Sequence, residues 1–415
     1  MSGSIASIAA YNGTGTQGFG TTDQSGPAVK SVFWNDYDTV KHYVNGFSVS
    51  EVSSNKGTIT TPETIVFTFD NDIDAISDLT LLVEHSSATP TADLPPWYMS
   101  LFVERVEIYV GNQVISTINT SGLIKSFLDS ETPCFFKNGN PYTSSLSGRG
   151  DEYSTIFKLP IFNTLKNDVD CSYLMGLASG QTLQVKVYPQ NLTETDYNTF
   201  AGGPSSGSAN DGPDFFGSSF PTSFTFRLFS NKCTMTNAER NLLKGQVVPK
   251  RTNISQFSAC LITPNETNVA LTTANPITIN CDHFNIYADA LYVVAGSMHG
   301  GVDGSYGVLG SFNIEVILNS TSYSGILPPQ ITNNAQSIFN HNDDQIYYYK
   351  VPLSNIVKSK DQDFVPLGKY DSIRVVLTPV KDLTVEYSFY NTLSVIATGK
   401  TTAKYETNAV TFTSF

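Results

Sequence analysis

The residue types that most often carry catalysis or bind metals do not converge on one site in this sequence. The histidines are scattered along the chain, at His42, His85, His283, His299 and His341. Cys281 and His283 would share one face of an extended strand and could form half of a zinc site, but no second ligand pair stands at a suitable spacing. A structural pair near the end of a sheet is therefore favoured over a metal site.

Two glycine motifs match cofactor or catalytic patterns but lack the context that those patterns need. Gly13, Gly15 and Gly18 fit the dinucleotide-binding spacing, which requires a strand before it and a helix after it. Residues 203–207 (GPSSG) have the spacing of a serine nucleophile elbow, which requires a strand that turns sharply into a helix. Neither context is predicted at these positions. The sequence therefore predicts no catalytic residue, no cofactor and no enzyme activity.

Other short motifs are interpreted as structural or fortuitous. Oxygen-rich stretches at 70–74 and 343–344 could hold a hard cation, but they do not match the twelve-residue calcium loop, so no metal site is predicted. Residues 149–151 (RGD) match a cell-adhesion tripeptide that is short enough to occur by chance. N-glycosylation sequons begin at Asn12, Asn119, Asn191, Asn253, Asn265 and Asn319. Because the sequence shows no secretory signal, modification of these asparagines is not expected.

Length and charge exclude several classes of protein. The 415 residues exceed what one hydrophobic core usually supports, so two domains are expected. The net charge of -13 argues against direct nucleic-acid binding, which needs a basic surface. No run reaches the ~18 apolar residues of a membrane span.

The charged fraction of 15% is low, which favours broad contacts between subunits because few charges have to be desolvated. The five cysteines are scattered and are expected to be buried free thiols.

Residues 31–235 are predicted to form an eight-stranded β-sandwich of the jelly-roll type. Its strand-like segments are 42–52, 63–70, 78–85, 101–110, 113–119, 153–162, 181–190 and 223–231. Gly111 and Asn112 form a two-residue link of the kind that takes a primed turn with positive φ, so the strands on either side should form a hairpin. A short helix is predicted over 121–130, where apolar residues repeat at i, i+4, and it would close one end of the sandwich.

The segment 236–250 is predicted to hold a short helix that links two β-rich regions. Thr236 and Glu239 have the spacing of a capping box, and Gly245 is placed to end the helix in a left-handed conformation. Residues 251–415 then repeat the pattern as a second jelly roll. Its segments are 255–263, 275–281, 283–296, 308–319, 345–353, 370–379, 384–397 and 404–415.

Two stretches are too rich in small polar residues to belong to either core. Residues 1–30 are Gly-rich and without periodicity, so they are predicted to be a flexible N-terminal arm that orders on contact with a neighbour or an underlying layer. The Gly-, Ser- and Pro-rich stretch 198–223 is predicted to be a long loop at an exposed apex of the first jelly roll.

Three stretches match, in order along the chain, a pattern shared by a known family. Residues 153–162 and 181–190 resemble two strands that flank a Pro-rich segment, residues 223–245 end a strand and open a helix with T-x-x-E-R, and residues 370–400 include a closing Tyr-Asn-x-Leu strand. Together they resemble the major capsid proteins of nucleocytoplasmic large DNA viruses, virophages and polinton-like viruses. The resemblance implies an all-β fold of two consecutive eight-stranded jelly rolls, a double jelly roll.

The resemblance also implies a function as a structural subunit. Such proteins form homotrimers that are pseudo-hexagonal capsomers of an icosahedral DNA virus shell, commonly over an internal membrane. The implied partners are neighbouring capsomers and minor capsid or penton proteins, without direct nucleic-acid binding. The implied location is the virion, after synthesis in the host cytosol.

Two other functions remain open from the residues alone. The 21 tyrosines could serve a two-domain β-sandwich that binds carbohydrate or acts in attachment, with exposed rings stacked on sugars. A glycoside-acting β-sandwich enzyme would need two carboxyl groups ~5 to 10 Å apart in a cleft, and no such pair can be picked out from the sequence.

Overall fold

A computed structural model gives the fold of most predicted strands. It describes residues 44–70, 75–85, 97–128, 135–137, 140–141, 153–159, 181–190, 221, 223–235, 250–261, 268–296, 312–332, 347–353, 364–386, 392–405 and 410–413. The predicted arm 1–30, most of the loop 198–223, and the linker helix with its cap residues Thr236, Glu239 and Gly245 lie outside the described residues. So do both glycine motifs, the RGD tripeptide and residues 343–344.

The first half of the chain contains eleven described strands and one α-helix. The strands are β1 (Val44–Val52), β2 (Thr58–Ile59), β3 (Ile65–Thr68), β4 (Ala75–His85), β5 (Val103–Val110), β6 (Gln113–Asn119), β7 (Phe135–Lys137), β8 (Asn140–Pro141), β9 (Tyr153–Leu159), β10 (Leu183–Pro189) and β11 (Phe224–Met235). Helix α1 (Thr120–Leu128) follows β6 directly, and a 3-10 helix (Tyr98–Phe102) precedes β5.

These strands form two antiparallel sheets. Sheet A has the order β1-β11-β4-β9, extended by β7 and β8, with β2 paired to β11; sheet B has the order β3-β10-β5-β6. If the eight principal strands are numbered along the chain, the two orders are 1-8-3-6 and 2-7-4-5. This is the connectivity of a jelly roll, and the eight principal strands coincide with the eight predicted segments. The helix predicted over 121–130 is confirmed as α1.

The second half repeats this architecture with twelve described strands. They are β12 (Lys250–Leu261), β13 (Asn268–Leu271), β14 (Ile277–Asn280), β15 (Tyr287–Gly296), β16 (Phe312–Leu318), β17 (Thr321–Ser322), β18 (Tyr347–Pro352), β19 (Val365–Pro366), β20 (Ile373–Pro379), β21 (Leu383–Glu386), β22 (Thr392–Tyr405) and β23 (Val410–Thr413). A short helix, α2 (Pro329–Thr332), follows β17, and a 3-10 helix (Leu367–Lys369) follows β19.

Sheet C has the order β12-β22-β15-β18 and sheet D the order β14-β20-β16-β17, again 1-8-3-6 and 2-7-4-5. β19 and β23 flank sheet C, and β13 pairs with β21 apart from both sheets. The prediction for this half was wrong in three details. Its fifth principal strand is β17, which has only two residues and no apolar alternation to reveal it. The segment 384–397 divides between β21 and β22, and the segment 404–415 is not a principal strand but begins with the end of β22 and contains β23.

Each half has a hydrophobic core of its own. Burial alternates along the principal strands, as in β9 and β16, so that one face of each sheet points inward. One core contains Phe67, Phe157 and Phe226, and the other contains Phe284 and Phe312. Full burial of each such ring contributes roughly 1.5 to 3 kcal/mol. Among the described strands, none of one half pairs with a strand of the other.

Candidate assembly site: the seam between the two sandwiches

The two sandwiches meet where β6 and α1 of the first half lie against the outer face of sheet C. The outward side chains of sheet C include Ala290, Val294 and Ile396, which are only 1%, 0% and 2% exposed. None of the three belongs to the core of the second half. They are buried because the first half covers them. We call this contact the seam.

One hydrogen-bonded cluster of the seam joins β6 to β12. Ser116 Oγ donates to the carbonyl oxygen of Ser255 at 2.9 Å and accepts from the Ser255 backbone nitrogen at 2.9 Å. Ser255 Oγ donates to the Thr117 carbonyl oxygen at 3.0 Å. Ser116 and Ser255 are 3% and 1% exposed. A buried hydroxyl without a partner would cost free energy, so these reciprocal bonds fix how the two strands lie against each other.

A second cluster joins the start of α1 to β22. Asn119 Oδ1 accepts from the Gly122 backbone nitrogen at 3.0 Å, which makes Asn119 the N-cap of α1. Its Nδ2 donates to Ser394 Oγ at 3.1 Å, and Ser394 Oγ donates to Ser121 Oγ at 2.9 Å. All three side chains are buried. One asparagine therefore both starts the helix and ties it to the other sandwich.

The C-terminal end of α1 makes a third contact with the second half, a cation–π interaction. Lys125 Nζ lies 3.8 Å from the centroid of the Tyr292 ring on β15, and Lys350 Nζ lies 5.7 Å from it. A cation over an aromatic face contributes roughly 0.5 to 2 kcal/mol, depending on desolvation. Lys125 stands in the last turn of the helix, where a positive charge also suits the helix dipole.

Glycine is required at Gly122, inside α1. A Cβ built there would lie 2.4 Å from Ile118 Cγ1, closer than side chains approach one another in folded proteins. Ile118 belongs to the core of the first half, so the first turn of α1 sits directly on that core. The backbone of α1 is thereby held close to β6 on one side while its polar groups face sheet C on the other.

The sequence-predicted site residues have separate positions and do not form one site. Gly111 and Asn112 connect β5 to β6 as an antiparallel hairpin, and Gly111 has φ +58°. Cys281 is fully buried, whereas His283 is exposed and its Nε2 lies 2.8 Å from the Phe257 carbonyl oxygen. Asp70 is exposed at the end of β3. No group of three or more potential metal ligands occurs among the residues that the structure describes.

The outer face of sheet B carries tyrosines whose rings are already covered. Lys186 Nζ lies 3.9 Å from the ring centroid of Tyr109, and Arg105 Cζ lies 3.9 Å from that of Tyr188. The hydroxyl of Tyr109 donates to Glu107 at 2.6 Å, and this bond, with burial, raises the pKa of Tyr109 well above its usual range. Stacking on sugars needs a free ring face, so these two tyrosines do not favour a carbohydrate-binding face.

Comparison with known proteins gives one consistent result. No protein-family model matches the chain, and no curated protein sequence matches it either. Among solved structures, the chain is similar to PBCV-1 VP54, in a crystal structure fitted into a reconstruction of the virophage Sputnik, with a TM-score of 0.60 and 12% identity over 91% of this chain and 99% of that one. A quasi-atomic model of the PBCV-1 virus capsid gives a TM-score of 0.58 at 12% identity, over 91% and 99% of the two chains. The Faustovirus major capsid protein gives 0.51 at 10% identity, over 98% of each chain.

The chain is a double jelly roll. The matches span nearly the full length of each partner, so they cover both halves of the double jelly roll as well as the arrangement of each one. At 10–12% identity they establish the fold and not the role of any residue. No helix in the described part of the chain is long and apolar enough to cross a membrane.

Sequence reasoning did not find the seam of the double jelly roll. The sequence predicts the junction at 236–250, and it predicts only strands and a helix for the residues of β6, α1, β12 and β22 that join the halves. A signal was present in β15 and β22. Residues 290–294 (ALYVV) and 393–397 (LSVIA) are nearly continuous apolar runs, which are typical of strands buried on both faces.

Proposed function

We propose that this protein is a major capsid protein, a structural subunit of an icosahedral DNA virus shell. The observation that carries the proposal is the seam. Two jelly rolls with the same strand order are fixed to each other by buried side-chain bonds, which makes each subunit one two-lobed building block. The similarity in fold to PBCV-1 VP54 and to the Faustovirus major capsid protein supports the same role.

The proposed oligomer is a homotrimer that forms a pseudo-hexagonal capsomer. Three subunits with two similar lobes each place six lobes around one axis, and a closed ring leaves no copy of the contact between lobes unused. We propose boundaries of 31–235 and 251–415 for the lobes, with a linker helix at 236–250 and a flexible arm at 1–30. The location would be the virion shell, with synthesis in the host cytosol.

The proposed partners are other structural proteins. They are neighbouring capsomers and minor capsid or penton proteins, with an internal membrane beneath the shell as a further contact. The net charge of -13 supports the absence of direct nucleic-acid binding. We propose no enzymatic activity and no cofactor.

Analytical ultracentrifugation of the purified protein tests the proposal. We expect a species of three times the 45.2 kDa of one chain, and six-lobed particles in negative-stain electron microscopy. A protein that stays monomeric at every concentration would refute the capsid function. Specific, saturable binding on a glycan array by a monomeric protein would support the attachment alternative instead.

A further inference from the structure

The seam inside one chain uses a part of the first jelly roll that has a counterpart in the second. In the first half, the covering element is the fifth principal strand, β6, with helix α1 after it. In the second half, the fifth principal strand is β17, and helix α2 follows it. We call residues 321–332, from β17 to α2, the ridge.

The ridge is exposed where its counterpart is buried. Ser116, Asn119 and Ser121 of β6 and α1 are no more than 6% exposed. On and beside the ridge, Ile326 and Ile331 are 70% and 69% exposed and the Tyr323 ring is 37% exposed. Apart from Val49, which is 73% exposed, these isoleucines are the most exposed of the large apolar residues that the structure describes. The ridge therefore presents apolar surface to solvent.

The opposite surface is also present in an uncovered form. Sheet C is covered on its outer face by the first half, and its counterpart in the first half is sheet A. The outer face of sheet A is open to solvent in the single chain. Val49 on β1 is 73% exposed, and the side chains of Glu51 and Arg227 are 46% and 40% exposed. The chain thus contains this contact once, as the seam. It also presents the two surfaces of a second such contact, the ridge and the outer face of sheet A, which do not meet within one chain.

The ridge is held in place by backbone and side-chain hydrogen bonds. Ile314 and Leu327 exchange two backbone bonds, at 2.9 and 2.8 Å, and Tyr323 N donates to the Val316 carbonyl oxygen at 2.8 Å. The Tyr323 hydroxyl donates to the Leu353 carbonyl oxygen at 2.8 Å. Docking such a surface loses little conformational entropy, since its backbone is already fixed.

The occupant that fits both surfaces is a second copy of this chain, because each copy carries the ridge and the outer face of sheet A, and charge permits the contact. With a net charge of -13, two copies repel each other unless they meet where neither carries much charge. No Asp, Glu, Lys or Arg lies between Glu315 and Asp343, which includes the whole ridge. On the outer face of sheet A, the Arg227 guanidinium neutralises Glu51 through two bonds, at 2.9 and 2.8 Å.

We infer that the ridge of one copy docks on the outer face of sheet A of the next copy, and so repeats between chains the contact that the seam makes within a chain. This inference rests on the proposed function, because a ring of three copies supplies the neighbour. The contact joins two different surfaces, so it closes only as a ring or extends as a filament. Val49 and Ile326 lie on the two sides of the same contact.

The test compares single substitutions on each side by sedimentation velocity. Ile326→Glu and Val49→Glu each place an unpaired charge in the contact, and each is expected to raise the concentration at which the trimer dissociates by at least about tenfold. The matched control is Val380→Glu, at a valine that is 41% exposed and belongs to neither surface, and it should leave the trimer unchanged. Circular dichroism should show that all three variants fold, because all three positions are exposed.

The outcomes separate this inference from the proposed function. A trimer that both Ile326→Glu and Val49→Glu leave as stable as the unmodified one would overturn the inference while the capsid function stands. A change in only one of the two variants would also overturn it, since the contact needs both sides. A protein that is monomeric without any substitution would remove the proposed function itself.

Discussion

Replacing Asn119 tests whether the seam holds the two sandwiches together. Its Oδ1 caps α1 through the Gly122 backbone nitrogen, and its Nδ2 bonds to Ser394 in the other half. Serine is as good an N-cap as asparagine but is too short to reach across the seam. Asn119→Ser should therefore keep the cap and lose the bond to Ser394, whereas Asn119→Ala should lose both.

The expected losses follow from these two roles. Asn119→Ser removes one buried hydrogen bond, which lowers the free energy of unfolding by about 1 kcal/mol. Asn119→Ala also removes the N-cap, which adds about 1 kcal/mol, for a total of about 2 kcal/mol. The two variants together separate the local role of Asn119 from its role between the halves.

A double-mutant cycle isolates the bond across the seam. Asn119→Ser and Ser394→Ala are made singly and together, and the free energy of unfolding is measured by urea denaturation followed by circular dichroism. We expect a coupling energy of about 1 kcal/mol, since the residues are in direct contact. The control cycle uses Thr58→Ala and Thr225→Ala, whose hydroxyls are 2.9 Å apart on an exposed surface of the first half. Additive effects at Asn119 and Ser394, within about 0.3 kcal/mol, would show that the seam bond contributes nothing.

Three further outcomes follow from single positions. Gly399→Ala should destabilise the second half by about 3 kcal/mol or more, because a Cβ would lie 1.9 Å from the Tyr287 carbonyl oxygen, whereas Gly57→Ala, with open space around it, should change the urea midpoint little. Burial raises the pKa of Cys281 to about 12, so peptide mapping after iodoacetamide treatment at pH 8 should find this thiol unmodified until urea is added. The free energy of unfolding should fall as pH rises from about 8.5 towards 12, because only the thiol of the unfolded chain ionises in that range. The hydrogen bond from Arg227 lowers the pKa of Glu51. This pair therefore stabilises the fold at pH values above the usual pKa of Glu, and the stabilisation is lost as pH falls through the lowered pKa. In urea titrations, Glu51→Gln should lower the free energy of unfolding by at most about 1 kcal/mol at pH 7 and by less at pH 3.

The strands of the first jelly roll could be predicted because their signal is local. Burial in β9 and β10 alternates with the period of two that the sequence shows, and Gly111 occupies the positive-φ position that the hairpin needs. β17 gave no such signal. It is two exposed residues that follow a turn in which Asn319 and Ser320 both have positive φ. Asparagine adopts positive φ more often than most residues, but serine seldom does, so the pair Asn319-Ser320 is a much weaker turn signal than Gly111-Asn112.

The seam could not be predicted because it depends on pairs that are far apart in the sequence. Ser116 and Ser255 are 139 positions apart, and Asn119 and Ser394 are 275 apart. Asn119, Ser255 and Ser394 each stand next to a core residue of their strand, at a position where an alternating pattern places solvent. Asn119 also begins a glycosylation sequon, and it is 6% exposed with both ends of its amide bonded within the fold. Only the contact between the halves distinguishes these residues from surface residues.

The seam combines buried apolar groups with hydrogen bonds that act in specific directions, and this combination suits a subunit that tiles a shell. An apolar contact alone, such as that of Val294 and Ile396, would tolerate sliding of one sandwich over the other because burial is non-directional. The serines and Asn119 do not tolerate it, since a shift of one residue would leave buried donors and acceptors without partners. Each copy would then have the same angle between its lobes. The proposed ring of three copies closes only if that angle is the same in all of them, so we expect the polar groups of the seam to matter more for the geometry of that ring than for the stability of either sandwich.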